Sequence, residues 1–175
     1  KLNLALTGGL HEDREAFFND YRNAVHYTDE LVGQLIAALD STGALANTIV
    51  VITSDHGEEF DDNKADYWGH TGNFTGFQTR VPLIVYVPWQ TPRTVAEPTA
   101  HVDIPPTLLA EGLGCTAPVA SYSNGLSLFS PLPARRPFVV ASYINHAIVS
   151  DENVFVVYPM YVQKYRLWDI NGEAS

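Results

Sequence analysis

The sequence predicts an α/β fold, and three features along the chain indicate it. Apolar residues recur every three or four positions over residues 13–42, which predicts a long amphipathic helix. Residues 49–53 follow as a β-branched run that is apolar on both faces, typical of a strand in a mostly parallel sheet covered by helices. Several short apolar runs from residue 138 onward predict a small C-terminal antiparallel β meander.

The composition is that of an acidic globular protein. The chain has 175 residues, 46% of them hydrophobic, and ten Lys and Arg against twenty Asp and Glu give a formal net charge of −10. The many apolar residues exclude a disordered acidic tail, and the scattered basic residues argue against a nucleic-acid partner. The single Cys115 excludes an internal disulfide. No run approaches the roughly 20 apolar residues that span a bilayer. We expect, from the start at Lys1, an excised segment of a longer protein.

The other elements are predicted from local signals. We expect Glu12 or Asp13 to cap the start of the first helix, and Gly43 to end it in a left-handed conformation. Residues 54–79 are too polar for regular structure and too aromatic for disorder, which indicates an ordered functional loop. The remaining predicted elements are a buried strand at 81–87, a helix at 104–113 capped by Asp103, an irregular connection at 115–137, and meander strands at 138–143, 146–149, 154–158 and 161–170.

The sharpest functional signal is the pair Asp55-His56, which directly follows the predicted strand 49–53. Ligands of open α/β sheets bind beyond the carboxyl ends of strands, and a carboxylate with an imidazole suits Zn²⁺ or Mn²⁺. Gly57 permits the tight turn that brings both side chains toward one point. The alternative is structural: Asp55 caps the next turn, and His56 hydrogen-bonds a backbone carbonyl.

A second histidine, His70, ends the aromatic loop after Trp68. It is a candidate to neutralise a phosphate or sulfate oxygen or to protonate a leaving group, and the alternative is a loop histidine packed on Trp68. Glu58 and Glu59 follow the Asp-His pair. Either one of them hydrogen-bonds His56 and fixes its tautomer, or the two form a solvated turn.

Other candidates favour structural roles. These are Asp103 as a helix cap with His101 packed beside it, His26 and Asp29 on one helix face, His11 before the first helix, and Cys115 without an evident partner.

Together these motifs resemble the sulfatase group of the alkaline phosphatase superfamily, and within it the YejM-type inner-membrane sulfatase-like proteins. The resemblance covers nearly the whole chain. The segments that carry it are 21–29, 47–60, 67–70, 80–83 and 101–109, with 165–173 resembling the C-terminal strand and turn.

The resemblance implies an αβα sandwich of the alkaline-phosphatase/sulfatase type, of which this chain is the C-terminal part. Residues 1–137 would belong to the α/β body, and residues 138–175 to a small antiparallel subregion of the same domain. The resemblance also implies that Asp55 and His56 are metal ligands and His70 is catalytic. Glu58, Glu59 and Trp68 would support the ligands or contact substrate. The nucleophile comes from an early strand in such enzymes, and no residue of this chain matches it.

One departure from the family bears on the metal. The Ca²⁺-dependent sulfatases of this group have a motif like Ser-Asp-Asn-Gly, whereas this chain has His56 in place of the Asn. An imidazole nitrogen favours Mn²⁺ or Zn²⁺ over Ca²⁺ or Mg²⁺. The resemblance therefore predicts metal-assisted cleavage or transfer of a phosphate or sulfate ester. The alternative is a non-catalytic module that binds envelope lipid or regulates another protein.

The resemblance also implies a location and a set of partners. It places the parent at the periplasmic face of the inner membrane, held there by a segment N-terminal to this chain. We expect the isolated chain to be inactive, because it holds at most half of the ligands. We also expect it to self-associate through strand edges and apolar faces that the rest of the parent would cover.

Overall fold

In the computed structural model, which describes residues 14–143, 145–150 and 152–172, the predicted long helix is present as α1, Arg14–Ser41. It ends as predicted: Gly43 adopts φ 70°, and its N–H donates to the carbonyl of Asp40. A 3₁₀ turn, Ala44–Asn47, follows. The predicted caps Glu12 and Asp13 lie outside the described residues. This first compact unit spans residues 1–47, and the second spans 48–175. The predicted division at residue 137 stays a prediction.

The second unit begins with strands and one short helix that frame the predicted functional loop. They are β1 (Val50–Thr53), β2 (Glu59–Phe60), β3 (Trp68–Gly69), α2 (Gly76–Thr79) and β4 (Leu83–Tyr86). The loop 54–79 therefore contains the hairpin β2–β3, whose two strands have two residues each, and one turn of helix. The expectation that this loop lacks regular structure was wrong for the hairpin and for the short helix.

The parallel pairing predicted for the first strand is wrong in the described structure. β1 pairs antiparallel with β4, and Thr53 lies opposite Leu83. Parallel neighbours are usually joined by a crossover helix, whereas the connection here, although long enough for a crossover, carries the hairpin β2–β3 and only the four-residue helix α2. β4 is also not buried on both faces, because its side chains alternate between half-buried and exposed. The antiparallel pairing places the start of β4 beside the end of β1.

The helix predicted at 104–113 is present as α3, Ile104–Leu113, with prolines in its first turn and left-handed Gly114 after its end. Asp103 precedes it, but its carboxylate does not cap α3. Asp103 holds the predicted N-cap position, but the capping role of its side chain is wrong, because this buried carboxylate binds Arg136 at 2.7 and 2.9 Å and accepts hydrogen bonds from the N–H groups of Ala100 and Leu126. Among the described residues, no helix is both long and apolar enough to cross a membrane.

The predicted C-terminal meander is confirmed as one antiparallel sheet with the order β5-β6-β7-β8. Its strands are β5 (Phe138–Ala141), β6 (His146–Val149), β7 (Asn153–Val157) and β8 (Val162–Arg166). The last predicted strand is too long, because Leu167–Asn171 forms the helix α4. The apolar core lies on this sheet, where Ala147, Val154 and Val156 pack with Phe74 of the functional loop.

A buried carboxylate, that of Glu59, ties the functional loop together. The side chain is fully buried, and its Oε2 accepts hydrogen bonds from Asn73, Thr75 and Gln78 at 2.9, 3.0 and 2.8 Å. Burial raises the pKa of Glu59 above its ordinary value of 4.5, although the three donors oppose the shift. The solvated turn considered for this residue is therefore wrong.

We predict that Asp103→Asn lowers the free energy of unfolding by about 3–5 kcal/mol, because it leaves the charge of Arg136 buried without a partner. The Arg136 side chain is only 12% exposed. The measurement is urea unfolding, with Glu152→Gln, an exposed glutamate in a turn, as the control. The double variant Asp103→Asn/Arg136→Met should recover part of the loss, and a loss below about 1 kcal/mol for Asp103→Asn would contradict the prediction.

A second prediction concerns pH. Below pH 4.5 Glu59 is neutral in both the folded and the unfolded chain. As the pH rises, the unfolded chain releases this proton first, so the group's contribution to stability falls until the pH passes the raised pKa of the folded state. The stability of Glu59→Gln relative to wild type should therefore increase as the pH rises from below 4.5. Urea unfolding of both proteins across pH 4 to 8 measures this stability difference. A difference between Glu59→Gln and wild type that does not change with pH would contradict a raised pKa of Glu59 in the folded state.

Candidate functional site

The turn after β1 presents Asp55 and His56 at the end of the strand, where the sequence predicts them. It is held by its own hydrogen bonds: the His56 N–H donates to Asp55 Oδ1 at 3.0 Å, and the Ser54 hydroxyl donates to the His56 carbonyl at 2.7 Å. The Gly57 N–H donates to the carbonyl of Gln78 at 2.9 Å. The turn is thereby attached to α2.

Glycine is required at position 57 because the backbone of α2 approaches it closely. A Cβ built there would lie 2.0 Å from the Phe77 carbonyl oxygen, well inside van der Waals contact. The role predicted for Gly57 was the freedom to form a tight turn. The contact with Phe77 adds a steric reason that depends on a residue twenty positions away.

The His56 ring has one nitrogen engaged and one available. Its Nδ1 lies 2.9 Å from the Gly57 carbonyl, and because a carbonyl only accepts, Nδ1 carries the proton and Nε2 keeps its lone pair. This is the usual arrangement of a metal-binding histidine. Nε2 lies 3.7 Å from Asp55 Oδ2, close to the separation of about 3.3 Å between two ligands of a tetrahedral zinc ion. The pair has the chemistry and nearly the spacing of two metal ligands.

The second histidine lies against the first. The rings of His56 and His70 stack with centroids 4.0 Å apart and planes at 17°. His70 follows β3, and its Nδ1 lies 2.8 Å from Glu58 Oε2. His56, Glu58 and His70 each offer an atom that could bind a metal, and these atoms lie within 4.8 Å of one another. The partner of Glu58 is therefore His70, not the predicted His56.

Asp55 and the two histidines face a cavity of about 810 Å³. Asp55, His56 and His70 line it, together with Arg80, which the sequence did not indicate as a site residue, and His101, for which the sequence favoured a structural role beside Asp103. His101 Nε2 lies 3.2 Å from the Thr53 hydroxyl at the end of β1. The cavity therefore combines acidic, imidazole and guanidinium groups, a set suited to a metal ion and an anionic ligand.

Arg80 could have been found from strand pairing. It precedes β4, and the antiparallel register brings the start of β4 beside the end of β1, where Asp55 follows. A parallel pairing would have placed Arg80 at the opposite edge of the sheet. The signal was therefore present in the sequence but was hidden by the wrong choice of strand direction.

The other predicted residues lie elsewhere. Glu59 points into the loop and bonds Asn73, Thr75 and Gln78, and Trp68 packs edge-on against Phe60 with centroids 6.2 Å apart. Neither lines the cavity. His26 and Asp29 lie on α1, Cys115 follows α3, and His11 lies outside the described residues.

Comparison with known proteins bears on the family. A family model described as Sulfatase matches residues 7–111. The chain is 31% identical to a choline-sulfatase of Rhizobium meliloti over 68% of its length and 25% identical to the inner membrane protein YejM of Salmonella typhimurium over 92%. It is 36% identical to a steryl-sulfatase of Rattus norvegicus over 62%.

The aligned regions cover 22%, 26% and 21% of these three relatives, so the chain spans about a quarter of their length or less. The family model, by contrast, covers more than half of this chain, from residue 7 to residue 111, and includes the turn of Asp55 and His56 and the loop of His70. The chain therefore belongs to the sulfatase family.

Proposed function

We propose that the protein to which this chain belongs cleaves or transfers a phosphate or sulfate ester by a metal-assisted mechanism. The observation that carries the proposal is the cavity in which Asp55 and His56 stand beside His70, within a chain of the sulfatase family. Choline-sulfatase and steryl-sulfatase are named for sulfate esters, which makes these the first substrates to test.

In this proposal Asp55 and His56 hold a divalent metal ion. The fit is supported by the free Nε2 of His56, by its 3.7 Å separation from Asp55 Oδ2, and by the 87% exposure of the Asp55 side chain, which leaves that carboxylate accessible. A nitrogen ligand favours Mn²⁺ or Zn²⁺ over Ca²⁺ or Mg²⁺. When bound, such an ion neutralises charge on the ester oxygens and activates a nucleophile.

His70 acts on the group that is transferred. Its Nδ1 is hydrogen-bonded to Glu58, so Nε2 is the ring nitrogen available to a substrate. His70 lines the same cavity as His56. Protonated Nε2 donates to a non-bridging oxygen or gives its proton to the leaving oxygen. Arg80, an exposed cation on the cavity wall, attracts the anionic substrate. No residue of this chain is assigned as the nucleophile, which we propose comes from the rest of the parent protein.

The resemblance to the inner membrane protein YejM extends the proposal to location and partners. We place the parent at the periplasmic face of the inner membrane, with an envelope lipid as a further candidate substrate. The isolated chain is expected to be inactive and to self-associate.

A second candidate function is a non-catalytic, sulfatase-like module that binds envelope lipid or regulates another protein. It is favoured by one observation: the likeness to the YejM protein extends over 92% of this chain, against 68% for the choline-sulfatase. The two candidates differ in whether the parent turns over an ester.

We predict that Asp55→Ala and His56→Ala in the parent protein each lower affinity for Mn²⁺ or Zn²⁺ more than about 100-fold, because the loss of an outer partner alone costs 10–100-fold. Metal-dependent cleavage of an aryl sulfate and an aryl phosphate should be lost in both. The matched controls are Asp29→Ala, on α1, and His146→Ala, an exposed residue of β6.

Two outcomes would decide against the proposal. Full activity in Asp55→Ala would remove this residue from the metal centre. A wild-type parent that binds neither metal and cleaves neither ester would favour the non-catalytic module.

A further inference from the structure

The pair Glu58 and His70 joins a sheltered carboxylate to an accessible imidazole. Glu58 Oε2 and His70 Nδ1 are 2.8 Å apart, and the side chains are 19% and 43% exposed respectively. His70 lines the cavity, whereas Glu58 does not. His70 therefore contacts the cavity directly, whereas Glu58 contacts His70 and not the cavity.

The hairpin β2–β3 fixes this pair geometrically. Glu59 lies opposite Gly69 and Phe60 opposite Trp68, so continuing the same register by one residue places Glu58 opposite His70. The buried hydrogen bonds of the neighbouring Glu59 hold the hairpin in place. The contact is thus set by backbone register and does not depend on chance positions of two surface side chains.

The stacking of the two histidines separates their roles. The lone pair of an imidazole nitrogen lies in the ring plane, so a bound metal ion lies in that plane. The rings of His56 and His70 are nearly parallel, at 17°, with centroids 4.0 Å apart. One ion cannot lie in both planes, so this arrangement does not let both histidines bind the same ion. His56 has Asp55 as its partner for a metal, which leaves His70 and Glu58 for a different task.

We propose that Glu58 is the positioning residue of His70. An ionised carboxylate only accepts, so Glu58 keeps the proton of His70 on Nδ1 and turns Nε2 toward the cavity. In the reaction, the nucleophile of the parent protein bonds to phosphorus or sulfur, the bond from that atom to the leaving oxygen breaks, and the Nε2–H of the charged ring gives its proton to this oxygen. The ring becomes neutral and keeps its Nδ1–H hydrogen bond to Glu58, so its orientation is the same before and after the transfer. This inference rests on the proposed function.

The experiment reads the tautomer of His70 directly. The parent protein is labelled with ¹⁵N-histidine and studied with and without Zn²⁺ by ¹⁵N NMR, and His70→Asn identifies the His70 signals. We expect neutral His70 to carry its proton on Nδ1 in wild type, and on Nε2 to a large extent in Glu58→Gln. Glu152→Gln, an exposed glutamate remote from the hairpin in sequence, should match wild type.

Kinetics and metal content complete the test. Glu58→Gln should lower kcat for the aryl ester at least about 10–100-fold, the range found for partners that orient metal-binding histidines, with KM and bound Zn²⁺ unchanged. Glu58→Asp, which keeps a carboxylate, should retain more of the Nδ1–H tautomer and more of kcat than Glu58→Gln. It also serves as the test variant if Glu58→Gln does not fold.

The contrary outcomes are distinct. An unchanged His70 tautomer in Glu58→Gln overturns the positioning role, and loss of Zn²⁺ from that variant shows instead that Glu58 is a metal ligand. A wild-type parent without ester cleavage overturns the proposed function. The tautomer comparison would then still decide whether Glu58 sets the orientation of His70, because it needs no turnover.

Discussion

The buried carboxylate of Glu59 holds the loop from which the site is built. Its Oε2 accepts hydrogen bonds from Asn73, Thr75 and Gln78, which lie in and just before the short helix α2. The backbone of Gln78 in turn receives the Gly57 N–H and so fixes the turn of His56. The same glutamate lies in the hairpin that brings Glu58 opposite His70. Desolvation of a carboxylate is costly, and three donors offset part of that cost.

Two neighbouring histidines can serve different purposes because their second nitrogens have different partners. His56 donates Nδ1–H to a backbone carbonyl, which orients a neutral ring suited to a metal. His70 donates Nδ1–H to the carboxylate of Glu58, which fixes the ring orientation and leaves Nε2 for the proposed proton transfer. Stacking at 4.0 Å keeps the two rings together and keeps them from sharing one ion. The proposed metal ligands Asp55 and His56 and the proposed proton donor His70 thus line the same cavity.

Local sequence signals were sufficient to predict several helices and strands and the position of Asp55 and His56 after the first strand. The 3.6-residue periodicity predicted the C-terminal end of α1 to within one residue, the prolines and Gly114 predicted α3, and short apolar runs predicted the meander. Asp55 and His56 were found because they follow a β-branched run directly. These features depend on neighbours in sequence, where turn chemistry and side-chain spacing act without help from the rest of the fold.

The family resemblance, the helices α1 and α3 and the candidate ligands follow from the amino-acid sequence alone, since each depends on residues close together along the chain. Tertiary structure decided the antiparallel direction of β4, the burial of Asp103 on Arg136, and the pairing of Glu58 with His70. It also decided that Arg80 and His101 share the cavity. These contacts join residues from 12 to 48 positions apart, as in Glu58–His70 and Thr53–His101. Strand register and buried charge pairing select among such contacts, and both depend on the packed fold.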